Sequence, residues 1–163
     1  MAKNKEEKTN VMRVLEQKKI AYTPHSYPHE EGIAVDGVTV AQSMGFDPAI
    51  VFKTLVARGA SKQYYVFDVP VAENLDLKKA AKAVGEKSIE MLHQKELLPL
   101  TGYVHGGCSP VGMKKLFPTV IDASAENLET MIVSAGKIGY QVELAPHDLA
   151  ALVRAKFADI IVE

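Results

Sequence analysis

Two apolar, β-prone runs, Val51 to Ala57 and Tyr64 to Val69, flank the turn Gly59-Ala60-Ser61-Lys62, and this arrangement constrains the chain more than any other. Strands joined by so short a connection pair antiparallel, because a parallel return needs a crossover of about a dozen residues or more. The rest of the chain reads in the same way. Thr9 caps a first helix with Val11, Val14, Leu15 and Lys18 along one stripe. Ile20 to Tyr27 is extended and punctuated by Pro24 and Pro28, and Thr39 to Met44 is a short helix closed by Gly45. Asp76 caps a helix over Leu77 to Val84, ended by Gly85. Ser88 to Leu92, Thr119 to Asp122, Met131 to Ser134 and Tyr140 to Leu144 are short strands. Pro110 to Phe117 is expected to make one or two helical turns, and Pro146 to Val153 a last helix with proline at its start. Strands and helices do not alternate regularly. That favours an α/β (α+β) fold, a mixed and largely antiparallel sheet with flanking helices, over a doubly wound parallel sheet. No repeat, low-complexity segment or linker divides the 163 residues, so one domain over 1–163 is expected, with a short polar tail at 1–8.

Charge narrows the function. Nineteen basic and twenty acidic residues give a net charge of −1. A protein that grips long nucleic acid does so by neutralising phosphates, so DNA is not an expected partner, while contact with one end of an RNA remains open. The lone cysteine, Cys108, allows no internal disulfide and points to a reducing compartment. No apolar run approaches the roughly 18 residues that span a membrane, and the N-terminus lacks a signal-peptide core. The expected location is the cytoplasm.

Within the run Val51-Phe52-Lys53-Thr54-Leu55-Val56, one lysine sits among apolar neighbours. Burying an ammonium is unfavourable unless it is paired or used. Lys53 therefore either snorkels out of an edge strand or pairs with a carboxylate, or it serves a site. Thr54 adds a hydroxyl, and the two side chains share one site only at a strand end or a bend. Gly106-Gly107 is a tight turn or a place where backbone N–H groups approach a ligand oxygen. Ser134 either caps the turn at Ala135-Gly136 or donates to a ligand.

Other motifs fail. Gly136-Lys137-Ile138 lacks the hydroxyl residue of a phosphate-binding loop. Gly107-Cys108-Ser109-Pro110-Val111 misplaces the second glycine of a nucleophile elbow, and Pro110 removes the N–H that such a site uses, which argues against Ser109 as a nucleophile. Cys108 reads as an apolar filler rather than a thiol paired with His93, His105 or His147. His25 and His29 lie in an extended segment, roughly 13 Å apart, too far to share a metal.

The ordered set Tyr27-x-His29, Phe52-Lys53-Thr54-Leu55, Asp76-Leu77-Lys78-Lys79-Ala80-Ala81-Lys82-Ala83-Val84-Gly85, Thr101-Gly102-Tyr103, Gly106-Gly107-x-Ser109-Pro110-x-Gly112, Ile121-Asp122-Ala123 and Val133-Ser134-x-Gly136-Lys137 resembles the YbaK/EbsC family. These are trans-editing aminoacyl-tRNA deacylases related to the insertion domain of bacterial prolyl-tRNA synthetase, and the match runs from about Val11 to the C-terminus. The resemblance implies a mixed, barrel-like sheet and hydrolysis of mischarged aminoacyl-tRNA, above all Cys-tRNA(Pro), with Cys-tRNA(Cys) beside it. It implies no cofactor and no metal. It gives Lys53 the role of binding and orienting the substrate and Gly106 that of offering its backbone to the ester. Tyr27, Thr54, Gly107 and Ser134 would line the pocket. The partners it implies are the aminoacylated 3′ end of tRNA(Pro) and prolyl-tRNA synthetase. In cysteine-specific members the substrate's own thiol attacks the ester, which suits a chain without an evident nucleophile, base or metal.

Three positions depart from the family pattern. His105 replaces a small apolar residue, Gln141 an acidic one, and Gly32 to Gly37 contains no aromatic residue. The alternatives are an Ala-tRNA(Pro) deacylase, a non-catalytic module that binds aminoacyl-tRNA or a synthetase, and a thiol esterase that depends on Cys108.

Overall fold

The computed structural model describes residues 8–163. Of the polar tail expected at 1–8 only Lys8 lies within it, its ammonium 3.0 Å from Glu16 Oε1; the rest is outside the described residues. The helices are α1 (Asn10–Gln17), α2 (Gly37–Met44), α3 (Leu77–Val84), α4 (Gln94–Thr101) and α5 (Pro146–Val153). The strands are β1 (Thr23–Ser26), β2 (Phe52–Gly59), β3 (Tyr64–Pro70), β4 (Ile89–Met91), β5 (Thr119–Asp122), β6 (Met131–Ser134), β7 (Tyr140–Leu144) and β8 (Lys156–Ala158). Side chains that satisfy exposed backbone N–H groups start the helices. Thr9 accepts from the Met12 N–H, Asp36 from Thr39, and Asp76 from Lys78 and Lys79. Gly45 and Gly85 end α2 and α3 in the left-handed region, at φ 79° and 75°.

The strands divide between two sheets rather than closing one barrel. A three-stranded antiparallel sheet has the order β1-β7-β6, and a five-stranded mixed sheet has the order β4-β2-β3-β5-β8. The β2–β3 hairpin is antiparallel as expected, whereas β5 adds to β3, and β8 to β5, as parallel strands. A parallel bridge between Val51 and Ile132 joins the sheets where β2 begins. Val11, Met12 and Leu15 of α1 and Leu149 and Val153 of α5 share a core with Met131, Val133 and Val142. Ala80 and Ala81 of α3 pack with Phe67, Val69 and Val120 across the larger sheet. Each large apolar side chain buried in this way contributes about 1.5–3 kcal/mol.

Three expectations change. α4 was hidden by Pro99, which stands inside the helix and cannot donate its backbone bond; Glu96 compensates at the start by accepting from the His93 N–H. Residues 110–117 form no helix. Gly112 takes φ 79°, and the Val111 N–H is drawn to Ser109 Oγ at 3.2 Å, which breaks a helical ladder before it starts. β8 escaped notice because three residues carry too little pattern.

Candidate functional site

Where the sheets meet, a cleft of about 340 Å³ opens. Its floor is the first residues of β2. Lys53 and Thr54 both line it, which adjacent strand residues achieve only at a strand end. Tyr27, just past β1, Ser134 at the end of β6 and Gln141 of β7 form one wall. Residues 34–37, which lead into the start of α2, and the turn His105-Gly106 close the other sides, with Leu97 and Cys108. Thus five of the six residues expected at the site, Tyr27, Lys53, Thr54, Gly106 and Ser134, are brought together from distant parts of the chain. Gly107 is not: it does not line the cleft, and its N–H donates to the Val104 carbonyl at 2.9 Å.

The Lys53 ammonium is half-buried, and no ion pair among the described residues includes it. Burial pulls its pKa below the ordinary lysine value, with Asp36 and Glu73 partly opposing this from a distance. The expectation of a lysine paired with a carboxylate finds no ion pair among the described residues. Ser134 combines both of its readings. Its Oγ accepts from the Gly136 N–H at 3.1 Å, so it shapes the turn, and its own hydroxyl hydrogen is left to donate into the cleft. Tyr27 is buried, and burial raises its phenol, with the Gly139 backbone and the Gln141 side chain opposing. Gln141 Oε1 is buried without a partner among the described residues.

Gly106 occupies the left-handed region at φ 90°, and a β-carbon there would stand 2.7 Å from Ala34 Cβ. The glycine therefore lets two walls of the cleft touch.

The groups with nucleophile potential are quiet. Burial, reinforced by Asp68, pushes the Cys108 thiol up to about 12. Ser109 is fully buried. His25 is engaged with Glu143 at 2.8 Å, and His29 with the Tyr27 carbonyl at 2.9 Å.

Asp68 is the residue that the sequence reading missed. It sits opposite Thr54 in the β2–β3 register and accepts a hydrogen bond from Thr54 Oγ1 at 2.6 Å. It is wholly buried, and Oδ2 has no partner among the described residues. Burial drives its carboxyl up to about 7, with only the Thr54 bond opposing. The signal was available: Asp68 is a charged residue in an apolar run, as Lys53 is. The raised pKa has a thermodynamic consequence. The folded state holds the proton more tightly than the unfolded chain, so stability is greatest below about pH 4, declines as pH rises toward 7, and stays reduced above it. The full difference is on the order of 4 kcal/mol. Asp68→Asn removes this slope. In urea unfolding the variant is expected to gain on the native protein by roughly 2–3 kcal/mol between pH 5 and pH 8; an equal difference at both pH values would contradict the buried acid.

The model of an aminoacyl-tRNA editing domain matches residues 34–152, which spans α2 through α5 and every wall of the cleft except Tyr27. The chain belongs to the aminoacyl-tRNA editing domain family. A protein of Enterococcus faecalis named EbsC, a candidate Cys-tRNA(Pro)/Cys-tRNA(Cys) deacylase, is 46% identical over 161 residues, covering 98% of each chain. Among solved structures, a candidate trans-editing enzyme for prolyl-tRNA synthetase superposes with a TM-score of 0.79 at 26% identity, over 94% of this chain and 95% of that one. A hypothetical protein designated APE2540 superposes at 0.82 and 19% identity, over 93% and 99%, and shows the shared editing-domain fold alone.

Proposed function

We propose that this member of the editing family is a trans-editing deacylase that cleaves the aminoacyl ester of mischarged tRNA. Its substrate is Cys-tRNA(Pro) or Cys-tRNA(Cys), and the chain works as one editing unit with the tRNA 3′ end as its ligand. The observation that carries this reading is the half-buried Lys53 ammonium, in no ion pair among the described residues, beside Thr54, Ser134 and the Gly106 turn in one cleft. A volume of about 340 Å³ suits an aminoacyl ester and its terminal sugar. Lys53 binds and orients the tRNA end, the Gly106 backbone faces the ester carbonyl, and Ser134 and Tyr27 bound the amino-acid side. Such a site works by holding the ester in attack geometry and stabilising the oxyanion. A near-neutral chain that holds only the tRNA end would draw further affinity from a synthetase, and prolyl-tRNA synthetase is the partner we propose. Among the described residues, no helix is long and apolar enough to cross a membrane.

The attacking group is the substrate's thiol. With the Cys108 thiol near 12, only about one molecule in 10⁵ carries its thiolate at pH 7. Cys108→Ser is therefore expected to leave cysteine release largely intact, and loss of release would favour a protein-thiol esterase instead. The deciding assay is release of amino acid from Cys-tRNA(Pro) and Ala-tRNA(Pro) by the purified protein. Rapid cysteine release supports the proposal, alanine release alone moves the chain to alanine clearance, and saturable binding with no release makes it a binding module.

A further inference from the structure

The Asp68 carboxyl is unfavourable where it stands. Tyr65, Val66, Phe67 and Val69 around it on β3 are apolar and buried, and one of its oxygens is unsatisfied. An aliphatic residue would fill the position with less strain on stability. Its single bond goes to a residue that lines the cleft. At 2.6 Å this bond has the length of a charge-assisted O–H···O⁻ contact. The Thr54 hydrogen is thereby committed to Asp68, so Thr54 turns only lone pairs toward the cleft.

We propose that Asp68 is a positioning residue for the reaction: it makes Thr54 the proton acceptor of the cleft and takes up, through Thr54, the proton that a substrate thiol must lose. This rests on the deacylase reading. As the thiol of the cysteinyl ester gives its proton to Thr54 Oγ1, the Thr54 hydroxyl proton moves to Asp68 Oδ1. The sulfur bonds to the ester carbonyl carbon, and collapse of the adduct breaks the carbon–oxygen bond to the ribose. The ribose oxygen recovers the proton along the same path, leaving free tRNA and a cysteine thiolactone for water to open.

The surroundings suit the role. Cys108, from the loop beyond α4, is a titratable group that Asp68 influences, and it is protonated at neutral pH. On β5, the residue paired with Asp68 is the apolar Ile121, and Asp122 is committed to the Ser124 and Ile160 N–H groups. Lys53, next to Thr54 on β2, pairs in register with Val69. Among the described residues no cation pairs with Asp68, and its carboxyl titrates at about 7, where a general base works best at neutral pH.

The test is single-turnover release of cysteine from Cys-tRNA(Pro) over about pH 5.5 to 8.5 by the native protein, Asp68→Asn, Thr54→Val, the double variant and Thr54→Ser. The native rate is expected to rise through an apparent pKa near 7. Asp68→Asn and Thr54→Val lose about 10²–10⁴-fold at pH 8 and that limb of the profile, with substrate affinity little changed. The double variant is no slower than either single one, and Thr54→Ser, which keeps the hydroxyl, restores the profile. A native-like profile in Asp68→Asn, or additive losses in the double variant, would overturn the relay. If the native protein releases no cysteine, the deacylase reading falls instead. Melting curves separate both results from misfolding, and Thr54→Ser against Thr54→Val carries the test should Asp68→Asn not fold.

Discussion

Replacing Lys53 by alanine is expected to abolish cysteine release while leaving the fold intact. In a cleft shielded from water, a fixed charge aimed at the reacting ester is worth about 10²–10³ in rate, by analogy with a lost oxyanion donor. Lys53 has the features of such a charge. It is half-buried, its pKa is drawn down by burial, and no carboxylate among the described residues pairs with it. Asp36, the stronger of the two carboxylates that oppose this shift, is occupied in capping α2 through the Thr39 N–H and hydroxyl.

The same features set the sign of the stability effect. A lysine whose folded pKa lies below its unfolded one is penalised at neutral pH, where both states carry the charge, and the penalty fades as pH rises past the folded pKa. Lys53→Met, which keeps the apolar stem, should therefore melt no lower than the native protein at pH 7 and be as inactive as Lys53→Ala. Unchanged cysteine release by either variant would remove Lys53 from the chemistry. A lower melting point shared by both would make the lysine structural.

That two residues so alike were read so differently in the sequence shows where the pattern stops. Lys53 and Asp68 are both charges in apolar strands one hairpin apart. Lys53 stands out as a charge among apolar neighbours, and the recurring Phe52-Lys53-Thr54-Leu55 motif reinforces it, whereas Asp68, in no such motif, is absorbed into the run Tyr64 to Val69. Alternation and turn residues were enough for the β2–β3 hairpin, for α3 between Asp76 and Gly85, and for α5, because each has its start and stop written locally. The division into two sheets was not legible. It depends on Val51 meeting Ile132, some eighty positions away, and on the parallel strands β5 and β8, whose pairing has no local signature. The cleft follows the same logic. Its members were recognisable as motifs, but that Gly106 belongs to it and Gly107 does not is decided by the Gly107 N–H turning to Val104.

Gly106→Ala tests the other wall of the cleft. The substitution meets two separate obstacles. At φ 90° any β-carbon strains the backbone, by about 1–2 kcal/mol. Its β-carbon would also lie 2.7 Å from Ala34 Cβ and 3.2 Å from Ala34 Cα, so either the 105–108 turn or the 34–37 segment must retreat. Both line the cleft, and displacement of a positioning element by about 1 Å lowers rates by about 10²-fold. Gly85→Ala is the control. Gly85 has φ 75° with nothing within 4 Å of its added β-carbon, and it ends α3 away from the cleft. It carries the left-handed strain without the collision. Both variants are expected to lose stability in urea unfolding, Gly106→Ala by more because overpacking adds about 1–3 kcal/mol. Only Gly106→Ala should lose cysteine release. Equal activity in the two variants would mean that the close approach of Gly106 to Ala34 serves packing alone, and that the ester carbonyl is held by other donors.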